Sequence, residues 1–327
     1  MERKYAVITG FLGRLKDRFI DYQPPRDMEE MLEMASRIKG CSGVEVVYPQ
    51  NFSDPAMLKA LLNRYNLGVS TVNLNIKSDA TWRFGTFSNP DAGIRREAIR
   101  HMKTAMDCAA ELGCNIVTSA FLNDGADYPF ELDYIRAFND TLEGVKECAD
   151  YRSDVRISLE YKASEPRVHC LLNNAGKMAY FCSLVGRDNV GVTLDAGHAL
   201  QCQEIPADSA AFLGVTGKLF YVHINDNYRN WDWDMVPGTV NLWDYIEFAL
   251  YLKRVNYQGW ITADVFPQRH DPIRIMGKTF EWMDYVFDIV DAMDEKVLFA
   301  MMQNKDAFEI LDYVRSFVRE YPDAKRA

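Results

Sequence analysis

The chain has 327 residues, of which 48% are hydrophobic and 26% are charged, and its formal net charge is −10. This length and composition fit one soluble (β/α)8 barrel, which takes about 250 residues, and the negative charge disfavours binding to a nucleic-acid backbone. No stretch of eighteen apolar residues predicts a membrane span, and charged residues at positions 2–4 lead directly into a strand instead of a signal sequence.

Segments with the pattern of buried strands alternate with amphipathic helical segments along the chain. The strand segments are short, rich in β-branched and aromatic residues, and apolar throughout, as parallel strands should be. Eight strands are predicted, at 5–10, 43–48, 68–76, 115–121, 156–161, 190–194, 218–224 and 259–265. Predicted helices lie at 27–38, 90–112, 130–151, 171–184, 206–213, 242–255 and 272–293.

This alternation predicts an α/β fold of the (β/α)8 TIM-barrel type. An open α/β sheet is the alternative, and the absence of a GxGxxG motif after the first strand disfavours it. We expect one domain, with the barrel at residues 1–293 and a helical extension at 294–327. The extension contains a predicted helical segment at 295–320, which either contacts another subunit or packs on its own barrel.

Three acids and one histidine stand at the ends of four successive predicted strands. Glu160 ends the fifth strand, Asp195 follows the sixth, and His223 and Asp264 lie near the ends of the seventh and eighth. Because strand ends meet at one mouth of a barrel, these side chains should converge. Three carboxylates and one imidazole suit Mn²⁺, Mg²⁺ or Co²⁺. Any one of these acids alone would more simply be a surface residue.

A second set of possible ligands follows the sixth and seventh strands. His198 lies three residues after Asp195, and Asp232 and Asp234 lie in the polar stretch at 225–234. With Asp195 as a bridge, they could hold a second cation. The alternatives are a solvated loop and a histidine satisfied within the core.

Lys162 lies two residues after Glu160, so a continuing strand would place both on the same side. An ammonium there could stabilise negative charge on a substrate oxygen. Alternatively, Lys162 lies in the next loop and pairs with a surface acid.

The combined pattern resembles that of the two-metal aldose–ketose isomerases in the xylose isomerase-like TIM-barrel superfamily, and its ligand types are most similar to those of L-rhamnose isomerase. The residues that carry the resemblance run from the fifth strand to the eighth: Glu160, Lys162, Asp195, His198, His223, Asp232, Asp234 and Asp264. Single-metal epimerases of the superfamily usually have Glu at the last ligand position, where this chain has Asp264, which favours an isomerase.

The resemblance implies two divalent cations per chain, most often Mn²⁺, and hydrogen transfer between C1 and C2 of a small sugar. Lys162, His198 and Asp232 would be catalytic. It also implies a homo-oligomer, either a dimer or a tetramer. A single-metal sugar epimerase, or a subunit that cleaves a C-glycoside or keto-sugar, is the alternative.

Candidate sugar-binding residues are less specific, because each could equally be a packing residue. They are Trp82, Asn75, Phe121 and Arg269. No glycine-rich phosphate cradle follows the last two strands, so an unphosphorylated sugar is expected.

Seven cysteines are scattered without a CxxC pair. We expect reduced thiols in a cytoplasmic protein.

Overall fold

The computed structural model describes residues 2–324 and the side chains as far as residue 318. Eight strands form a closed barrel in which each pairs in parallel with the next in sequence, and the first pairs with the last. They are β1 (Tyr5–Ile8), β2 (Cys41–Tyr48), β3 (Gly68–Leu74), β4 (Ile116–Ala120), β5 (Arg156–Glu160), β6 (Val190–Asp195), β7 (Leu219–Ile224) and β8 (Ile261–Ala263). The predicted (β/α)8 barrel is confirmed, with strand ends displaced by a few residues.

Helices surround this barrel and continue beyond it. They are α1 (Met28–Ser36), α2 (Pro55–Tyr65), α3 (Ala92–Leu112), α4 (Tyr134–Tyr151), α5 (Ala175–Val185), α6 (Ala196–Gln201), α7 (Pro206–Val215), α8 (Leu242–Arg254), α9 (Pro272–Ala292), α10 (Glu295–Asn304) and α11 (Ala307–Ala324). Helices α2 and α6 were not among the predicted segments. Proline at the start of α2 and the side chain of Asp54, which accepts from the amides of Ala56 and Met57, define the beginning of that helix.

Three predicted helical segments differ from the observed helices by more than two residues. Helix α5 begins at Ala175 instead of residue 171, because the side chain of Asn174 caps it. Helix α4 begins at Tyr134 instead of residue 130, because Asp133 caps it and Phe130 has a left-handed backbone, with φ of 68°. The segment at 295–320 is two helices instead of one. Lys305 ends α10 with φ of 56°, and Asp306 accepts from the amides of Phe308 and Glu309 at the start of α11.

The C-terminal extension packs against its own barrel. Leu298 of α10 is buried, and the hydroxyl of Tyr285 in α9 donates to the backbone oxygen of Val318 in α11 at 3.3 Å. On the outer face, Phe308 is 81% exposed and Leu311 is also exposed. Packing on the barrel is therefore observed, while the expected contact with another subunit stays a prediction.

The strand register brings polar residues together at the carboxyl end of the barrel. Asp195 at the end of β6 is paired with His223 in β7, and His223 is paired with Thr262 in β8. Below this end the barrel interior holds buried polar side chains, among which Thr193 Oγ1 lies 2.8 Å from Thr118 Oγ1 and 2.7 Å from Ser158 Oγ. The apolar core lies around them, between the outer faces of the strands and the inner faces of the helices. Within residues 2–324, no helix is both long and apolar enough to cross a membrane.

Candidate metal centre and active site

Four predicted ligands converge at the barrel mouth and are called here the four-ligand cluster: Glu160, Asp195, His223 and Asp264. One ligand atom from each lies within 4.8 Å of the others, and no second group of three or more acidic, histidine or cysteine ligands converges in this way among the described residues. Asp195 and His223 are fully buried, and Asp264, one residue beyond β8, is half-buried. The barrel thus presents three carboxylates and one imidazole to a common point.

The imidazole of His223 is oriented by contacts on both of its nitrogens. Nδ1 faces the carboxylates, at 3.3 Å from Glu160 Oε1, 3.3 Å from Asp264 Oδ2 and 3.8 Å from Asp195 Oδ2. Nε2 faces the other way, at 2.9 Å from Oε2 of Glu45 in β2. One nitrogen is therefore directed at the cluster and the other at a buried acid across the barrel.

Asp195 is fixed by the short helix that begins at its own position. Its Oδ1 caps α6 by accepting from the amide of His198 at 2.8 Å. The side-chain amide of Asn225 donates to both Asp195 oxygens at 2.9 Å. Asn225 can approach so closely because residue 197 is glycine, where an added Cβ would lie 1.6 Å from Asn225 Oδ1. Gly197 and Asn225 thus hold Asp195 in its orientation.

The cluster carries more negative than positive charge. Burial raises the pKa of Glu160, but His223 and His198 outweigh that effect and hold the pKa at about 2. For Asp264, burial raises the pKa, and repulsion from Asp195 and Glu160 adds to this effect against the attraction of His223, giving a pKa of about 7. Ionising every carboxylate in this space is unfavourable without another cation.

A second cluster, formed by His198, Asp232 and Asp234, lies beside the first. Nε2 of His198 is 3.1 Å from Asp232 Oδ2, and its Nδ1 is 3.2 Å from Glu160 Oε1 without the alignment needed for a hydrogen bond. Asp234 follows in a left-handed backbone conformation, and burial together with the charges of Asp232 and Asp264 raises the pKa of its carboxyl. These three side chains do not converge as tightly as the first four.

Lys162 lies in the site and not in a surface pair. Its Nζ is 2.7 Å from Asp232 Oδ2 and also contacts Glu165. Burial lowers the pKa of Lys162, but Asp232 and Glu165 outweigh it and leave the pKa above its ordinary value. The site therefore contains a charged ammonium with two carboxylate partners.

The donor chemistry of the four-ligand cluster fits a divalent cation. The four-ligand cluster offers three oxygen donors and one imidazole nitrogen, which suit Mn²⁺, Mg²⁺ or Co²⁺. In the second cluster, the buried atoms Asp232 Oδ1 and His198 Nδ1 have no hydrogen-bond partner in the described part of the chain. Buried polar atoms without partners are costly, so each of these atoms is suited to a further ligand.

A cavity of about 560 Å³ opens beside Asp264 and reaches the loops after β1, β2 and β3. Polar side chains line it, including those of Asn51, Asn75 and Lys77. Lys77 is half-buried and makes no side-chain hydrogen bond or ion pair within the described part of the chain. The volume is sufficient for a small polar ligand.

The predicted sugar-binding residues are dispersed. Asn75 lines the cavity beside Asp264, and Arg269 lines a separate surface cavity of about 470 Å³ that also touches Asp234. Trp82 is buried with its ring edge-to-face on His101 at 5.9 Å. Phe121 is buried and stacked on Phe87 at 4.9 Å. The structure does not bring these last two side chains to the cavity beside Asp264, and instead places them in the core.

Comparisons with known proteins agree with this architecture. The family model for the xylose isomerase-like TIM barrel matches residues 32–286. The chain is 25% identical over 321 residues to the "Probable sugar isomerase" of Mesorhizobium japonicum, an alignment that covers 93% of this chain and 73% of the relative. It is 28% identical over 207 residues to xylose isomerase of Thermus thermophilus, covering 62% of this chain and 54% of the relative.

Among solved structures, D-allulose 3-epimerase from Methylomonas sp. matches with a TM-score of 0.68. The match covers 86% of this chain and 96% of that chain at 21% identity. At this identity, the likeness shows a shared fold.

Proposed function

The chain belongs to the xylose isomerase-like TIM barrel family, and we propose that it is a metal-dependent aldose–ketose isomerase acting on a small unphosphorylated sugar by hydrogen transfer between C1 and C2. The observation that carries the proposal is the second cluster beside the first. His198 and Lys162 both contact one oxygen of Asp232, and the other oxygen is buried without a hydrogen-bond partner among the described residues, so it is available to a second cation.

Two cations per chain would be held by residues of the two clusters. One cation would be held by Glu160, Asp195, His223 and Asp264. The other would be held by Asp195, His198, Asp232 and Asp234. Mn²⁺ is the preferred ion, with Mg²⁺ or Co²⁺ as alternatives. When bound, these ions supply Lewis-acid polarisation of hydroxyl and carbonyl oxygens.

The chain's own residues would orient the sugar and handle its protons. Lys162 is held by Asp232 and Glu165, so its ammonium can donate to the carbonyl oxygen of an open-chain sugar and stabilise negative charge there. Asp232 and His198 share a short contact of 3.1 Å and are placed to accept or return a proton at a sugar oxygen. The rest of the sugar would occupy the cavity lined by Asn75 and Lys77.

A single-metal sugar epimerase is the second candidate. The observation that favours it is that, among the described residues, the four-ligand cluster is the one set whose ligand atoms converge within 4.8 Å. Lys162 also occupies one oxygen of Asp232. In that case the second cluster would position the sugar without holding an ion.

Metal content and sugar turnover together test the proposal. The protein is stripped with a chelator, reloaded separately with Mn²⁺, Mg²⁺ or Co²⁺, and assayed against a panel of free aldoses and ketoses. Two ions per chain with aldose–ketose conversion are expected. One ion with inversion at C3 of a ketose would establish the epimerase instead. If the protein neither binds a metal ion nor converts any sugar, both candidate functions are overturned.

A cytoplasmic homo-oligomer, either a dimer or a tetramer, is part of the same proposal. The seven cysteines are free thiols in the structure, and the exposed apolar residues of α11 offer a surface for a second subunit.

A further inference from the structure

We propose that Glu45 is a positioning residue that fixes the tautomer and orientation of His223 for metal binding. The inference rests on the proposed function, because it requires a cation at the four-ligand cluster. No residue near Glu45 in the sequence points to this role, and Glu45 does not stand at a strand end. It follows from contacts between opposite sides of the barrel.

Glu45 lies in the middle of β2 with its side chain inside the barrel and 0% exposed. Its Oε2 is 2.9 Å from His223 Nε2, and its Oε1 accepts from the side-chain amide of Asn73 in β3. The backbone oxygen of Glu45 accepts from the hydroxyl of Thr9 at 3.1 Å. Both carboxylate oxygens therefore have a hydrogen-bond partner, which fixes the orientation of the carboxylate relative to His223.

A neutral imidazole carries one N–H, and the hydrogen bond made by one nitrogen determines which nitrogen has the free lone pair. With Glu45 accepting from Nε2–H, the lone pair is on Nδ1, and Nδ1 faces Glu160, Asp195 and Asp264. A carboxylate behind a metal-binding histidine also raises its basicity. The observed direction of the ring is thus the one that metal binding needs.

Burial makes a purely incidental role for Glu45 costly. A buried carboxylate needs charged or strongly polar partners, and no lysine or arginine contacts Glu45 within the described residues. His223 is its only ionisable hydrogen-bond partner in that part of the chain. The imidazole of His223 and the amide of Asn73 are the side chains that compensate for the burial of this acid.

The test measures Mn²⁺ affinity in the Glu45→Gln variant. Glutamine has nearly the same size but lacks the charge, and with its amide oxygen kept on Asn73 it turns an NH2 donor toward Nε2, so it no longer favours the tautomer with the lone pair on Nδ1. Mn²⁺ is titrated into the metal-free full-length protein, and electron paramagnetic resonance measures the signal of free Mn²⁺. The dissociation constant is obtained from this titration. We expect the dissociation constant to rise by roughly 10–100-fold.

The matched control is Asp124→Asn, which changes another buried carboxylate by the same chemistry. Asp124 is 1% exposed and accepts from the amides and hydroxyls of Thr86 and Ser88. Since these partners do not belong to either cluster, this variant should lose thermal stability but retain the wild-type affinity for Mn²⁺.

Unchanged Mn²⁺ affinity in Glu45→Gln, or an equal loss in Asp124→Asn, would overturn the positioning role. If Glu45→Gln does not fold, Asn73→Ala is measured instead, because this change removes the amide that holds the other oxygen of Glu45. A several-fold rise in the dissociation constant for Mn²⁺ would support the positioning role. An unchanged dissociation constant would overturn it. Failure of the wild-type protein to bind Mn²⁺ would instead overturn the proposed metal centre itself.

Discussion

The two clusters at the barrel mouth differ in how firmly the structure holds them. In the four-ligand cluster, His223 and Asp195 are each supported from behind, by Glu45 and Asn225 respectively. In the second cluster, Asp232 contacts both His198 and Lys162, and among the described residues His198 and Asp232 each retain a buried atom without a hydrogen-bond partner. In the four-ligand cluster, hydrogen bonds already orient the ligand side chains. In the second cluster, one carboxylate, that of Asp232, is shared between an ammonium and an imidazole.

This difference indicates a division of labour. A site supported by a rigid shell of hydrogen bonds is suited to tight binding and to holding substrate hydroxyls in one geometry. A site whose carboxylate is shared between Lys162 and His198 is suited to chemistry in which protons change partners. Variants in each cluster separate the two roles.

The largest expected effect is that of His198→Asn. In the two-metal scheme this change removes a ligand of the second ion while the four-ligand cluster stays intact. We expect metal content to fall from two ions per chain to one, and the rate of aldose–ketose conversion to fall by about 100-fold or more. Metal analysis and a turnover assay on the same sample measure both quantities.

The control for His198→Asn is Asp208→Asn, which alters an exposed acid in the first turn of α7, away from both clusters. It should keep wild-type metal content and turnover. Wild-type turnover by His198→Asn would contradict the two-metal scheme and leave the second cluster with a minor role.

The same contrast separates what the sequence could predict from what it could not. Residues at strand ends were predictable, because parallel strands bring their carboxyl ends to one mouth whatever the details of the helices. Glu160, Asp195, His223 and Asp264 were found on that basis. Glu45 was missed because it lies inside a strand whose pattern is that of core residues, and its partner His223 is 178 positions away.

Two other residues show the same limit of sequence-based prediction. Asn225 was missed because it begins a polar stretch that has the composition of a solvated loop, and its role depends on the missing side chain of Gly197. Trp82 was a candidate sugar-binding residue because it follows β3, with packing as the equal alternative; Asp79 caps a short turn after which the indole packs in the core against His101. Contacts between distant segments decide such positions, and the sequence does not display them.

The next expected effect is that of Gly197→Ala, a test of the support behind Asp195. The added Cβ would lie 1.6 Å from Asn225 Oδ1, so Asn225 must leave Asp195 or the start of α6 must shift. We expect overpacking to lower the free energy of unfolding by about 1–3 kcal/mol. Since Asp195 loses its amide donor, Mn²⁺ affinity should fall as well. Chemical denaturation and Mn²⁺ titration measure the two effects.

Gly176→Ala is the matched control, because Gly176 is also the second residue of a helix. Its added Cβ would be 3.6 Å from Asn174 Oδ1, an ordinary contact. This variant should be as stable as the wild type or more stable by about 0.5–1 kcal/mol, with unchanged Mn²⁺ affinity. Equal behaviour of the two variants would show that Asn225 does not support Asp195.

The smallest expected effect is that of Lys77→Met, in a lysine whose surroundings differ from those of Lys162. Lys162 is held by two carboxylates, whereas Lys77 is half-buried in the cavity wall and its ammonium makes no hydrogen bond within the described residues. An ammonium in this position is available to a sugar oxygen. Lys77→Met should therefore raise KM and lower kcat/KM by about tenfold, the effect of losing one hydrogen bond from a charged donor worth roughly 1.5 kcal/mol.

The control for Lys77→Met is Lys218→Met, at the opposite end of the barrel, where the ammonium donates to the backbone oxygen of Val190 at 3.1 Å. Its kinetic constants should match those of the wild type. Metal content should be unchanged in both variants, because neither lysine is a ligand. A wild-type KM in Lys77→Met would place the sugar outside this cavity and move attention to the surface cavity beside Asp234 and Arg269.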